Sequence, residues 1–209
     1  IEELGPTFVK IGQVLSTRPD RVPDELVHEL EQLRDQVKPE PFANVLSVLR
    51  HELGREVEDV FASIDEVPIG SGSIAQVHRA VLKDGGDVVA VKVQRPGVER
   101  DIQADLDIIA WLAREVHERI AGMRPYNLPQ IVEALRESLI VELNFTNEAR
   151  NAELFNARNP HAPHVFAPKV YDNFSTKRLI VTELVVGSPP DKIVLAPAKA
   201  RELAPLAAR

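Results

Sequence analysis

Residues 70–94 read GSGSIAQVHRAVLKDGGDVVAVKVQ, and this stretch decides the fold. Two runs rich in apolar and β-branched residues flank the polar turn Lys83-Asp84-Gly85-Gly86-Asp87. This pattern predicts an antiparallel hairpin, with one strand over Ile74–Leu82 and the next over Val88–Gln94. A further strand that ends near Gly70 is expected to precede them. The stretch is therefore predicted to form the middle of an antiparallel sheet.

Small residues fill the turn between the first two of these strands, namely Gly70, Ser71, Gly72 and Ser73. Residues without bulk let backbone N–H groups approach the oxygens of an anionic phosphate. The branched side chain of Val77, on the strand that follows, could cover one face of a base. These residues alone leave two hypotheses open, a phosphate-binding loop and a hairpin that binds no ligand.

Strand alternation places Ala90 and Lys92 on the same face of the predicted sheet. Ala90 is small enough to admit a ring, and Lys92 is long enough to reach a phosphate. A lysine that points towards a half-buried face is costly unless it has an anionic partner. Glu142 and Glu148, in a later helical segment, are the candidate partners. The alternative is a lysine at a sheet edge that reaches solvent, with both glutamates at exposed helix positions.

Helical patterns precede the strands. Apolar residues at helical spacing predict a helix over Leu4–Leu15, a second from Pro23, a third over Phe42–Leu53, and a short helix with Val57, Val60, Phe61 and Ile64. Residues 1–64 are therefore interpreted as a helical extension.

The rest of the chain alternates between helix and strand patterns. Two long helices are predicted, one over residues 102–120 and one over residues 131–139 that continues with a break through 144–156. Two strands are predicted over residues 165–171 and 178–186. Residues 65–187, with an inserted helix at about 98–121, are interpreted as the sheet-containing unit. Residues 188–209 are interpreted as a frayed segment that starts a linker or a following C-terminal lobe.

Composition excludes several classes of protein. The net charge of -7, with basic residues interleaved among acidic ones, argues against a nucleic-acid binder. The absence of cysteine excludes disulfides and thiolate metal sites. His161 and His164 have no further candidate ligands beside them, so no metal site is predicted. The apolar stretches fall short of the ~20 residues that span a bilayer. The absence of cysteine suits a reducing cytoplasm, so a cytoplasmic protein is expected, with a membrane-peripheral one as the alternative.

Two segments resemble motifs of protein kinases. Gly70, Gly72 and Val77 match the glycine-rich pattern GxGxxGxV, which Ala75 interrupts, and Val89-Ala90-Val91-Lys92 matches the pattern V-A-I-K. The predicted order of strands and helices also resembles the N-terminal lobe of a kinase. Fold alone does not fix function, so the motifs carry the resemblance.

The stretch Leu4–Arg18 resembles the N-terminal signature of the UbiB-like (AarF-like) atypical kinase family, whose Lys-x-Gly-Gln motif is matched by Lys10-Ile11-Gly12-Gln13. Ser73–His78 and Lys92–Gly97 also fit this family. The resemblance covers the chain up to about Gly187. It implies an α+β fold, a kinase-like N-lobe with a five-stranded antiparallel sheet plus helices, preceded by the helical extension and without the C-terminal lobe.

The resemblance also implies roles for individual residues. Lys10 and Gln13 would fold over a nucleotide pocket, Lys10 would pair with Glu142, and Lys92 would pair with Glu148, which together form the implied catalytic set. The implied nucleotide-binding set comprises Gly70, Ser71, Gly72, Ser73, Val77, Ala90, Lys92, Thr182 as gatekeeper, and Glu183 and Val185 as backbone contacts to adenine.

The chain departs from the family at two places. Asn144 stands where the family has Asp, which keeps the carbonyl oxygen but loses the charge. Gly70 and Gly72 occupy a loop that the family often makes alanine-rich, so the nucleotide pose is expected to lie closer to that of conventional kinases.

The sequence contains no catalytic-loop or Asp-Phe-Gly-like pattern, and it ends 22 residues after Gly187 (209 minus 187). The ligands of magnesium are therefore expected in the missing lobe. The implied function is the ATP-binding portion of a UbiB-type kinase or ATPase that supports isoprenoid-quinone biosynthesis, with lipids or quinone-pathway proteins near a membrane as partners. The alternative is a non-catalytic, pseudokinase-like binding or regulatory module.

Overall fold

A computed structural model describes Thr7 and residues 38–160 and 165–187. Its centre is a five-stranded antiparallel sheet. The strands are β1 (Phe61–Ile64), β2 (Gly70–Ser71), β3 (Ala75–Leu82), β4 (Val88–Gln94) and β5 (Leu179–Glu183). They are ordered β1-β3-β4-β5, and β2 pairs with β3 as well. The predicted hairpin and the predicted sheet are both confirmed.

The turn between β3 and β4 shows why this stretch folds as a hairpin. Gly85 and Gly86 adopt φ angles of 84° and 71°, in the left-handed region that glycine enters without a steric penalty. The register then runs without interruption from the pair Val81 and Val88 to the pair Ala75 and Gln94. This register fixes which side chains share each face of the sheet.

Within residues 38–160 and 165–187, five α-helices accompany the sheet. They are α1 (Phe42–Leu53), α2 (Val57–Val60), α3 (Val98–Arg119), α4 (Leu128–Glu142) and α5 (Phe145–Arg158), with short 3-10 helices at Ala121–Tyr126 and Asp172–Phe174. Helix α1 ends at Gly54, whose φ of 64° provides a left-handed C-cap.

The sheet is covered on both faces by helices. On one face, Val45 and Leu49 of α1 pack with the buried side chains of β4, such as Val89 and Val91. On the other face, helices α3, α4 and α5 cover Ala75 and Ile180 through a second apolar cluster. Burial of one large aliphatic side chain contributes roughly 1.5–3 kcal/mol, so these two clusters hold the helices against the sheet.

The prediction of a short helix with Val57, Val60, Phe61 and Ile64 is wrong in its second half. Helix α2 stops at Val60, and Phe61–Ile64 forms strand β1. Phe61 pairs with Leu82 at the far end of β3 and its side chain is buried in the first core cluster. Pairing with a distant strand therefore overrides the local helical spacing.

The predicted strand over Val165–Tyr171 is also wrong, because only the isolated bridge between Val170 and Thr182 forms. The Asn156 amide of α5 both donates to the Ala167 carbonyl and accepts from its N–H, at 2.9 and 2.8 Å. Pro168 has no N–H to donate. The segment is thus held at Ala167 by a helix side chain, and its backbone pairing with β5 is confined to the hydrogen bonds of Lys169 and Tyr171 around the bridge.

Candidate functional site

Val77, Ala90, Lys92 and Thr182 lie on one face of the sheet. Val77 is paired with Lys92 across β3 and β4, and Ala90 with Thr182 across β4 and β5. Residues at even spacing along a strand share a face. All four are half-buried. The structure therefore brings together the predicted base-covering, ring-admitting, phosphate-reaching and gatekeeper residues.

Lys92 pairs with a carboxylate on this face. Its Nζ donates to Glu148 Oε2 at 2.5 Å and lies 4.8 Å from the centre of the Phe145 ring. The two charged side chains are 33% and 50% exposed, so the pair is reachable from solvent. The partner of Lys92 is therefore Glu148, and Glu142, exposed at the end of α4, is not the residue in this ion pair.

Helix α5 delivers Glu148 because its N-terminus is fixed to the sheet. The Asn144 side chain caps the helix by accepting from Thr146 N at 3.1 Å. The buried Gln94 Nε2 of β4 donates to the Leu143 carbonyl at 2.9 Å, which anchors the preceding residue. Phe145 is buried against the sheet. One turn later, Glu148 faces Lys92.

The glycine-rich turn begins with the two residues of β2 and leads into β3, which pairs with the strand that carries Lys92. Gly70 is paired with Val77, which is paired in turn with Lys92, so the three residues form one row across the strands. At about 4.8 Å per strand, Gly70 lies roughly 10 Å from the Lys92 backbone, within the combined reach of a phosphate and a lysine side chain. The Gly72 N–H closes the turn on the Ala75 carbonyl at 2.9 Å.

The fold itself does not require glycine at these two positions. An added Cβ at Gly70 meets nothing within 4 Å, and at Gly72 it meets the Ala75 oxygen at an ordinary 3.5 Å. Neither residue has a positive φ. What the two glycines supply is open space beside the backbone, which suits close approach by a ligand.

The end of β5 offers backbone groups beside Thr182. The Glu183 N–H donates to the Lys169 carbonyl at 2.9 Å, so a contact from Glu183 to a ligand has to come through its carbonyl oxygen. Leu184 N–H is likewise bonded to the Val88 carbonyl at 3.2 Å. Val185 follows at an exposed position where the strand has ended.

The predicted residues Lys10 and Gln13 lie outside the described residues, and the pairing of Lys10 with Glu142 stays a prediction. Thr7, three residues before Lys10, is buried, and its Oγ1 donates to Asp105 Oδ2 of α3 at 2.5 Å. This contact locates one point of the N-terminal signature beside the inserted helix.

Sequence reasoning missed a polar network on the opposite face. Gln76 and His78 of β3 are buried, and Gln76 Nε2 lies 2.8 Å from His78 Nε2. Because Gln76 Oε1 accepts from the Glu40 N–H, its amide must donate to the imidazole, and His78 Nδ1–H donates to the Asp65 carbonyl. Burial lowers the pKa of His78, which favours the neutral imidazole. Polar residues alternating on a core-facing strand were the signal available.

The described residues contain no group of three or more His, Cys, Asp or Glu side chains placed to bind a metal ion. Within the same part of the chain, no helix has both the length and the apolar character needed to cross a membrane.

Comparison with known proteins identifies the family. The model of the ABC1 atypical kinase-like domain matches residues 32–208. The chain belongs to this family. A probable protein kinase UbiB from Cellvibrio japonicus is 37% identical over 208 residues, which cover all of the chain and 38% of that protein. The chloroplastic protein ACTIVITY OF BC1 COMPLEX KINASE 8 of Arabidopsis thaliana is 40% identical over 92% of the chain and 25% of its own length.

A solved structure shares the fold. The chain resembles the Mycobacterium tuberculosis protein in the complex of Rv3197 with erythromycin, with a TM-score of 0.57, 30% identity, and coverage of 87% of the chain and 45% of that protein. The predicted kinase-like fold and the predicted relationship to UbiB-like proteins are confirmed. The chain spans about a third of the length of the curated relatives it matches.

Proposed function

We propose that the chain supplies the nucleotide-binding half of an ATP-dependent phosphotransferase or ATPase. The observation that carries the proposal is the ion pair of Lys92 with Glu148, two strands away from the glycine-rich turn. In kinases a lysine at this strand position pairs with a helix glutamate and contacts the phosphates. A ligand that neutralises Lys92 from the open side and leaves Glu148 in place fits this arrangement.

The residues around the pair fit ATP in size and chemistry. Backbone N–H groups of the turn and the Lys92 ammonium suit phosphate oxygens. Val77 and Ala90 offer an apolar floor for a flat base, and Thr182 stands at its inner edge. Magnesium would accompany the phosphates, and its protein ligands are expected in a C-terminal lobe, where kinases carry them.

Substitution of Lys92 by alanine tests the proposal. At about 100 times its dissociation constant, Mg-ATP should stabilise the full chain by about 2.7 kcal/mol, measurable as a rise in melting temperature. Lys92→Ala should abolish this rise. Lys83→Ala is the matched control, since Lys83 is exposed at the far turn of the hairpin and bonds the Glu58 carbonyl. Equal stabilisation of wild type and Lys92→Ala would remove Lys92 from the site.

The same melting-temperature measurement distinguishes the proposal from the second hypothesis, a pseudokinase-like binding module. A pseudokinase-like module that works through its helical faces would keep its melting temperature whether Mg-ATP is added or not. Under the proposal, wild-type chain and the Lys83→Ala control both respond to Mg-ATP.

We extend the proposal to support of isoprenoid-quinone biosynthesis, near a membrane and with lipids or quinone-pathway proteins as partners. It rests on the similarity to UbiB proteins. The test is expression of the whole protein in a bacterium that lacks its UbiB protein. Restored quinone content with wild type, and not with Lys92→Ala, is the expected result. Unrestored quinone with well-expressed protein would contradict the extension and leave the nucleotide site unaffected.

A further inference from the structure

Arg95, the residue directly after β4, joins two segments that are far apart in sequence. Its three side-chain nitrogens make four hydrogen bonds, two to the glycine-rich turn and two to the segment 38–40. The side chain is only 11% exposed, which is low for an arginine. Such a residue has a specific structural purpose.

The bonds to the turn fix the direction of its peptides. Arg95 Nε donates to the Gly72 carbonyl at 2.8 Å, and Nη2 donates to Ser71 Oγ at 3.0 Å. Because a trans peptide is planar, a Gly72 carbonyl directed at Arg95 makes the Ser73 N–H point the opposite way. A glycine peptide flips easily unless something holds it. Arg95 therefore selects one orientation of the turn.

The other two bonds of Arg95 hold the segment 38–40 in place. Arg95 Nη2 donates to the Lys38 carbonyl at 2.8 Å, and Nη1 donates to Glu40 Oε1 at 3.0 Å. The Glu40 N–H is bonded to Gln76 Oε1 at 2.9 Å, a second tie to β3. This segment directly follows residues 1–37, which contain Lys10 and Gln13.

The chemistry of the bonds requires an arginine. Its planar fork directs N–H groups to several acceptors at once, whereas a lysine ammonium is a point charge that cannot reproduce the fork. The bond between Arg95 and the Glu40 carboxylate is charge-assisted, because both groups are ionised. It is poorly screened by solvent, because the two side chains are only 11% and 29% exposed. Loss of either partner is therefore felt by the other.

We propose that Arg95 is a positioning residue that couples the glycine-rich turn to the segment 38–40. The proposal rests on the proposed function in that the turn is taken to bind phosphate. A change in the position of the segment 38–40 would alter the turn through Arg95, and a ligand on the turn would stabilise that segment in return, as reciprocal linkage requires.

Amide hydrogen exchange of the full chain without nucleotide tests the coupling directly. The reporters are the Gly72 N–H and the Glu40 N–H, which are both hydrogen-bonded. In R95K both should exchange about tenfold to a hundredfold faster, since bonds to a charged group are lost. In E40A the Gly72 amide should also exchange faster, because Glu40 reaches the turn through Arg95. In the double variant R95K/E40A the Gly72 amide should exchange no faster than in R95K alone.

Two control variants isolate the effect. N44A removes the other side-chain bond of Glu40, and R178K alters a neighbouring arginine that bonds Glu99. Both should leave the Gly72 rate within about twofold of wild type, below the effect of one lost bond. A Gly72 rate that E40A leaves unchanged would overturn the proposal, even if R95K destabilises the whole chain.

Addition of Mg-ATP separates this proposal from the proposed function. In wild type it should slow exchange at both reporters, and in R95K at Gly72 alone. Slowing at Gly72 but not at Glu40 in wild type would overturn the coupling and support nucleotide binding. If Mg-ATP slows neither reporter, the nucleotide site is contradicted, and the experiment without nucleotide decides the coupling.

Discussion

Lys92 and Glu148 contact each other on a partly open face of the sheet, and their exposure bears on what the interaction achieves. An ion pair between partly exposed side chains contributes on the order of 0–1 kcal/mol to stability. The cation–π contact with Phe145 adds about 0.5–1 kcal/mol at such a site. Substitution of Lys92 should therefore leave the chain folded, so a loss of ligand response reports on the site and not on the fold.

The first prediction at the scale of single residues concerns Gly70 and Gly72. Because neither has a positive φ or a crowded Cβ position, G70A and G72A should change the free energy of unfolding by less than about 0.5 kcal/mol. Mg-ATP affinity should fall about tenfold, since a methyl group obstructs one backbone contact. Titration calorimetry and urea unfolding measure the two quantities.

Gly86→Ala is the matched control for the two glycines. Its φ of 71° penalises a side chain, so this variant should lose stability and keep its affinity for Mg-ATP. If G72A binds Mg-ATP as tightly as wild type, the turn does not contact the phosphates.

His78 makes the second prediction, on pH. Burial lowers the pKa of His78 below its ordinary 6.5, and the carbonyl and charge of Asp65 only partly oppose this shift. Below about pH 6.5 the unfolded chain takes up a proton that the native imidazole does not, so the free energy of unfolding should fall as the pH falls through this range. Above the unfolded pKa, near pH 7.5, this contribution to stability is fully present.

His78→Gln should flatten the pH dependence, because a neutral amide can still donate to the Asp65 carbonyl and accept from Gln76. Urea unfolding at pH 5.5 and 7.5 measures the effect. His51→Gln, which removes an exposed histidine of α1, is the control and should leave the dependence as in wild type. An unchanged pH dependence in His78→Gln would contradict the assigned neutral state.

Helix α5 is the element on which the site depends most, and Asn144 determines where it begins. The position that the family fills with Asp serves here as an N-cap, for which Asn and Asp are equally suited. Asn144→Ala should lower the free energy of unfolding by about 1 kcal/mol. Asn144→Asp should match or exceed wild type, since a negative charge at a helix N-terminus is favourable by about 0.3–1 kcal/mol.

Urea unfolding of the full chain measures both Asn144 variants. Thr146→Ala is the control, because it removes a hydroxyl that also donates to Asn144 Oδ1 and keeps the backbone N–H that the cap needs. If Asn144→Ala is as stable as wild type, the side-chain bond to Thr146 N does not determine where α5 begins.

The elements differ in how far the sequence predicts them. The β3–β4 hairpin was predictable because alternation and the turn glycines both act locally. The face shared by Ala90 and Lys92 followed from that hairpin. Strand β1 was not predictable, because Phe61 is paired with Leu82, 21 residues later (82 minus 61), and only that pairing outweighs its helical spacing. The role of Arg95 was hidden for the same reason, since its acceptors lie 23 to 57 residues away.

At the scale of the whole molecule, the described residues form one sheet with a helical layer on each face, and the two faces serve different purposes. One face is closed by α1 and by the Gln76–His78 network, which hold the segment 38–40. The other face carries Lys92 and leaves it partly open to solvent. Arg95 follows the last residue of β4 and bonds both the segment 38–40 and the glycine-rich turn. The buried Gln76–His78 network therefore lies on the face of the sheet opposite to the proposed nucleotide site.

The most direct test of the nucleotide site is a titration of isotope-labelled chain with Mg-ATP, followed by amide chemical shifts. The account predicts that the largest shifts cluster at residues 70–77, at Ala90–Lys92 and at Thr182–Val185, and that Lys92→Ala abolishes them. Saturable shifts confined to other parts of the chain, such as α3 and α4, would contradict it.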